Sequence, residues 1–414
     1  MPNTNADKIV DRLFRKEAGR MVAVLSRKFG LTNLDVAEDI VQDTLLTAMH
    51  CWRFGKLPDD PKAWLYRVAR NKAIDFLRRN KAWLETDDVL IESSEEASWE
   101  HLFLDHEISD SVLRMMFVCC HPSLPLEGQL AFALRTVGGM TSREIAGAFL
   151  TTEETIQKRI YRVREKIKAE RITLEVPVST SLGPRLQSVL HVLYLLFSEG
   201  YHSSVSENTV RSELCFEAMR LSYLLATNPL TDRPLTNALL SLMCFQASRI
   251  DSRVDISGNL VTLMRQDRSK WDRDLIAKGM FYLDRAAETT QLSMYHLEAG
   301  IAAIHAAAPS FETTDWRSVY HLYEILYANH PSPIIALNKA VASSYAISAD
   351  AALRELEQIS GMEKSSLYHA SLGQVFSDLK RHDEAKRHFT MASELTSSSR
   401  EKRFFQSRIA ECSC

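Results

Sequence analysis

No apolar run in these 414 residues approaches the ~20 needed to span a bilayer. The opening MPNTNADKIVDRLFRK lacks the apolar core of a secretory leader, so the expectation is a cytoplasmic protein without membrane contact. Cysteine is sparse: seven, at 51, 119, 120, 215, 244, 412 and 414, with no CxxC pair, which suits a reducing compartment. Cys119, Cys120 and His121 are adjacent, a poor geometry for one tetrahedral zinc, so no metal and no cofactor is expected. Alternating β patterns and hairpin signals are missing as well. What remains, at 45% hydrophobic and 25% charged residues, is the composition of a soluble globular chain long enough for two or three domains.

The net charge of −3 argues against a protein that coats nucleic acid, but the average hides segregation. Ala63 to Lys81 carries six Lys/Arg against one Asp, whereas Glu85 to Asp110 carries ten Asp/Glu and no Lys/Arg. Lys158 to Lys168 is basic again. Alternating blocks of this kind point to separate surfaces for separate partners.

Apolar residues recur at three and four almost throughout, which predicts an all-α protein. Residues 1–84 read as one small helical domain, 85–110 as an acidic linker and 111–172 as a second helical domain. A Pro-bearing hinge at 173–184 precedes a helical extension over 185–414. Within that extension Leu372, Gly373, Phe376, Ala385, Phe389 and Ala392 match the small and large positions of a tetratricopeptide unit, and Ala340, Ala352, Leu356 and Ile359 form a fainter copy ~33 residues earlier. The segment LYLLFSEGYHSS (Leu193 to Ser204) reads as a helix closed by a C-cap at Gly200. His191, Glu199, Tyr201 and His202 are the only enzyme candidates there, and no nucleophile–base–orienter set or metal spacing accompanies them, so the chain is not expected to be an enzyme.

Asp35 to Met49 reads as a helix with Val36, Ile40, Leu45 and Met49 inward and Asp39, Gln42 and Asp43 outward. On spacing alone those polar groups either solvate the helix or dock a partner. The next helix opens with Asp60 at N-cap and Pro61 at N1. At 100° per residue Leu65, Ala69, Ala73 and Phe76 share one face, while Arg67, Asn71 and Arg78 fall within a ~40° sector opposite. Guanidinium groups there can neutralise phosphates and Asn71 can hydrogen-bond a base edge. Trp52 and Phe54, read as a preceding loop, are candidate walls for an extruded base. Further on, Thr141-Ser-Arg-Glu144 and Thr151-Thr-Glu-Glu154 are two capping boxes ten residues apart. They bracket a short helix and start a longer one, with Ile156, Ile160, Val163 and Ile167 inward and Lys158, Tyr161, Arg162 and Glu165 outward, Gln157 at the edge. Arg159, Arg164 and Lys166 are better placed for phosphates. This is the pattern of a helix-turn-helix with a major-groove helix.

These blocks, DIVQDTLLTAM, AWLYRVARNKAIDFLRR and GMTSREIAGAFLTTEETIQKRIYRVREKIK, strongly resemble a sigma factor of the extracytoplasmic-function type over residues ~10 to 170. The first two resemble regions 2.2 and 2.3/2.4, the third region 4. The extension resembles the subset that carries a fused tetratricopeptide-like domain. The resemblance implies core RNA polymerase and promoter DNA as partners. Asp39, Gln42 and Asp43 would meet the β′ clamp helices, and region 4 the β flap. Phe54, Arg67, Asn71 and Arg78 would handle the −10 element, and Gln157, Lys158, Arg159, Tyr161 and Arg162 the −35 element. The acidic linker would thread the polymerase cleft, and the extension would regulate through a ligand, a partner protein or contact with the sigma domains. The rival from another class, a helix-turn-helix regulator that does not engage polymerase, leaves residues 1–84 without a role.

Overall fold

The computed structural model describes residues 4–54, 57–80, 104–149, 151–177, 179–203, 210–253, 255, 261–289, 291–396 and 398–412. The all-α expectation holds: the described residues form helices, short 3-10 turns and connecting segments, with no strand among them. None of these helices is long and apolar enough to cross a membrane. The chain divides into two compact units, Met1–Leu196 and Phe197–Cys414.

The first unit begins with α1 (Thr4–Phe29), α2 (Leu34–Phe54) and α3 (Pro61–Arg79). Each packs on the other two, and Met21, Ala23, Leu25, Phe29 and Leu65 are fully covered at the centre. α3 starts where the sequence requires, with the Asp60 carboxylate accepting from the Ala63 backbone N–H at 2.9 Å and Pro61 in the first turn, where no N–H partner is missed. Then follow α4 (Asp105–Cys119), α5 (Leu126–Thr136), α6 (Ser142–Ala148) and α7 (Glu153–Ala169). The acidic linker lies outside the described residues over 85–103. Its last six residues, 105–110, are already helical in α4, where Asp105 and Glu107 complement the N-terminal dipole.

α1 also lies against α4 and α5, which joins the two halves of this unit. The approach is close enough that a Cβ added at Gly19 would stand 2.2 Å from the Val137 carbonyl oxygen. Arg27 on α1 reaches Glu107 at 2.5 Å and Asp110 at 3.5 Å on α4. Cys119 and Cys120 are buried in this core, and burial pushes both thiols well above their ordinary range, Cys119 to about 12. The next helix, α8 (Ser179–Ser203), starts inside the expected hinge with Pro184 within it. It runs past Gly200, which is buried in the helix rather than ending it.

The second unit comprises α9 (Val210–Thr227), α10 (Pro234–Ala247), α11 (Arg273–Ala286), α12 (Met294–Ala307), α13 (Trp316–Asn329), α14 (Pro333–Ala346), α15 (Ala349–Glu357), α16 (Ser366–Asp378), α17 (His382–Leu395) and α18 (Ser399–Glu411). Most of these helices pack chiefly on their neighbours in sequence, although α12 packs most on α10, a contact pattern close to that of a helical-repeat array. The repeat positions read from the sequence meet in one core: Ala340, Ala352, Leu356, Leu372, Phe376, Ala385, Phe389 and Ala392 are buried together, with Ile359 against them. The small-to-large pairing is steric, because a Cβ on Gly373 would approach the Phe389 ring to 2.8 Å.

Three histidines of this unit are kept neutral mainly by burial. His296 and His388 titrate below the ordinary range, and His305 is driven down to about 3 by burial, then by Arg249 and Arg268. The unfolded chain takes protons on these rings below about 6.5, the folded chain only at lower pH. Their contribution to stability is therefore complete above pH 6.5 and is lost as the pH falls toward 3. His305 alone should cost this unit on the order of 1–2 kcal/mol at pH 5. Urea unfolding at pH 7 and pH 5 measures the difference, which should shrink in His305→Gln.

Candidate nucleic-acid interface

α3 carries its polar residues on a helix whose other side is anchored in the core. Leu65, Tyr66, Ala69 and Ala73 are buried, and Arg67, Asn71 and Arg78 are all exposed. The anchor is partly ionic. Tyr66 donates its hydroxyl to Glu17 at 2.6 Å, and Arg20 donates to the other carboxylate oxygen at 3.1 Å. Glu17 is almost wholly buried, so both donors are needed to offset its desolvation. Burial and then Glu17 push the Tyr66 phenol far above its ordinary range, which fixes it as the donor.

Beside the exposed face lies an open cavity of about 470 Å³, lined by Lys62, Tyr66, Arg67 and Arg70 together with Leu104 and Asp105. Lys62 pairs with Asp105 at 2.6 Å, and that hydrogen bond holds the Asp105 carboxyl below its usual range. The sequence reading did not single out Lys62, and took Tyr66 as a core-packing residue; the recurrence of Lys62, Tyr66 and Arg70 at four-residue steps was the signal that could have found this cavity. Trp52, expected in a loop, belongs to the last turn of α2. Its ring packs between Phe14 (5.3 Å) and Trp64 (5.4 Å), so it belongs to the three-helix core and does not wall a base pocket. Phe54 ends the same helix, and its side chain lies outside the described residues.

α6 and α7 form a helix-turn-helix supported by α5, which packs on both. Thr141 and Glu144 make the full capping box, backbone N–H to side chain in each direction at 3.2 and 2.8 Å. The second cap is Thr152, one residue later than the sequence suggested, accepting from the Thr155 N–H at 3.2 Å. Ile156, Ile160, Val163 and Ile167 are buried, while Gln157, Lys158, Tyr161 and Arg162 are exposed. Tyr161 is 64% exposed. Lys158 pairs with Glu154 at 2.7 Å. The three cations read as phosphate contacts are instead held by the protein. Arg159 pairs with Glu127 at 2.6 Å, Lys166 donates to the Ser123 carbonyl, and Arg164 binds both Asp35 and Glu38 at the start of α2.

On α2 the buried side is Leu34, Ala37, Ile40, Val41, Thr44 and Ala48. Asp39, Gln42 and Asp43 are exposed. Met49, expected inward, is 55% exposed, and Leu46 beside it 63%. The outward stripe is therefore acidic at one end and apolar at the other. Asp43 also pairs with Lys72 of α3 at 2.5 Å. Of the enzyme candidates, His191 is exposed and Glu199 half-buried, Tyr201 is buried with Arg249 donating to its hydroxyl at 2.7 Å, and the His202 side chain lies outside the described residues.

Three family models match in chain order. The model of sigma-70 region 2 matches residues 13–82, that of sigma-70 region 4 residues 114–167, and a family of unknown function (DUF6596) residues 185–287. An uncharacterized protein of Rhizobium meliloti (strain 1021) is 35% identical over 91% of this chain and 90% of its own length. RNA polymerase sigma factor SigV of Bacillus subtilis is 28% identical over 33% of this chain and 77% of its own length. The ECF RNA polymerase sigma-E factor of Haemophilus influenzae is 26% identical over 39% and 84% respectively. No solved structure matches the chain.

Proposed function

Because this chain belongs to the sigma-70 family and is similar to factors of the extracytoplasmic-function type, we propose the following division of labour for transcription initiation. Asp39, Gln42 and Asp43, with Leu46 and Met49 as the apolar part of the same stripe, dock on the β′ clamp helices of core RNA polymerase, and region 4 on the β flap. Arg67 and Arg78 neutralise phosphates around the −10 element. Asn71 contacts a base of the unpaired strand, and the cavity beside Tyr66 and Arg70 receives it; Phe54 contributes from the end of α2. Gln157, Lys158, Tyr161 and Arg162 enter the −35 major groove, and Arg159 approaches a phosphate once released from Glu127. The acidic linker threads the polymerase cleft, and the helical extension controls activity.

The observation that carries this reading is that one chain presents two outward basic helices, α3 and α7, and one outward acidic stripe on α2, each on a separately anchored element. Transcription in vitro with purified core polymerase, with the full chain and with a chain ending at Pro177, tests it. A full chain that starts no transcript from any native promoter removes the reading. Equal activity and promoter choice from the shortened chain removes only the control by the extension.

Arg162 is exposed and has no ion-pair partner among the described residues. Arg162→Ala should weaken binding to a −35 duplex by about 1–3 kcal/mol if the guanidinium reads a base. Titrations on native and scrambled −35 duplexes separate the roles, since a phosphate contact would lose equally on both.

A further inference from the structure

The second unit contains a cavity of about 310 Å³ that none of the proposed contacts uses. It lies among α13, α14, α16, α17, α18 and the short turn Leu263–Arg265. Its walls are aromatic: Trp316 and Tyr345 stand 4.5 Å apart, and Phe389 and Phe404 line the same space. This half-open space is of ligand size. Aromatic walls favour a flat ring, by stacking or edge contact.

The charged residues lining this cavity are two guanidinium groups, Arg265 and Arg408, beside the polar Thr262, Ser344, Ser371 and Gln374, and the protein itself seats a carboxylate on the two arginines. Arg265, whose side chain is 54% exposed, donates to Glu411 at 3.1 Å. Arg408 binds the other oxygen of Glu411 and donates to Gln374 at 2.9 Å. Glu411 is the last residue of α18, where the negative end of the helix dipole disfavours an anion. The two arginines hold it there against its own helix dipole.

We propose that this cavity binds a small aromatic carboxylate, its ring against Trp316, Tyr345 and Phe389 and its carboxylate replacing Glu411 on Arg265. The site stands on the cavity alone and does not depend on the promoter reading, so either can fail without the other.

The test is calorimetric titration of the full chain with 2-naphthoate and with neutral 2-naphthamide, which share a ring and differ in charge. Naphthoate should bind at one site, roughly tenfold more tightly than naphthamide. Arg265→Ala should abolish that preference while leaving naphthamide unchanged. Glu411→Gln should tighten naphthoate severalfold, because the competing carboxylate is gone; this variant keeps the wall intact and so covers the case in which a cavity-filling change fails to fold. Ala370→Phe, which fills the space from α16, should block both ligands. Equal binding of the two compounds, no binding at millimolar concentration, or naphthoate affinity unmoved by Glu411→Gln and Arg265→Ala would each overturn the proposal.

Discussion

Replacing Asp43 by lysine should remove binding to core RNA polymerase while leaving the fold intact. The carboxylate is 64% exposed and its ion pair with Lys72 is peripheral, so losing that pair costs the fold about 1 kcal/mol or less. Docking is different. The stripe on α2 sets Asp39, Gln42 and Asp43 beside the exposed Leu46 and Met49, so a partner that covers the apolar end also desolvates the neighbouring carboxylates. Reversing a charge that becomes desolvated on docking costs about 2–5 kcal/mol or more, roughly thirtyfold to several thousandfold in affinity. Competition for core polymerase against the unchanged chain measures this, and a thermal melt shows whether the fold survived. The double variant Asp43→Lys, Lys72→Glu restores the internal pair with its sign reversed. It should stay defective if Asp43 faces the polymerase and should recover if the pair was what mattered. Unchanged capture of Asp43→Lys would remove the contact from the reading.

The facing of α7 was legible in the sequence because large β-branched residues repeat at helical spacing and strong caps mark the start; Ile156, Ile160, Val163 and Ile167 are buried. The facing of α2 was read correctly at Ile40 and at Asp39, Gln42 and Asp43, and misread at Met49 for a physical reason. Its inner side is built of Ala37, Thr44 and Ala48 as much as of Leu34 and Ile40, so the bulky residues that dominate a periodicity reading point elsewhere. Thr44 can be buried because its hydroxyl donates to the Ile40 carbonyl of its own helix at 2.7 Å. Trp52 was placed in a loop because Gly55 and Pro58 follow closely, yet contact with Phe14 and Trp64 extends the helix through it. Such partners lie far apart in the chain. The same holds for Arg164 and its two acids on α2, 129 and 126 residues away; local spacing carries no trace of that clamp.

That clamp leads to the other large expected effect. In the first unit the region 2 helices and the helix-turn-helix share one core: Gly19 closes on Val137, Arg27 holds α4, and Arg164 holds the start of α2. A compact body of 196 residues has a radius of gyration of about 16 Å and is roughly 40 Å across. The −35 and −10 elements, 25 base pairs apart by name, are separated by about 85 Å at 3.4 Å per base pair. If α3 and α7 hold the −10 and −35 elements as proposed, they cannot do so from within one such body, and α1 is expected to part from α4 and α5 when the promoter complex forms. The cost includes the ion pairs of Arg27 with Glu107 and of Arg164 with Asp35 and Glu38 as well as the packing of α1 on α4 and α5, and polymerase binding must offset it. A donor dye on exposed Cys51 and an acceptor on Ala169→Cys, with the other accessible cysteines changed to serine, should give high energy transfer in the free chain. Transfer should collapse on adding core polymerase and promoter DNA. Persistent high transfer in a complex that is making transcripts would mean that the two elements are not both held by this chain. Arg164→Glu, which sets like charges against Asp35 and Glu38, should lower the transfer of the free chain and speed its capture by polymerase.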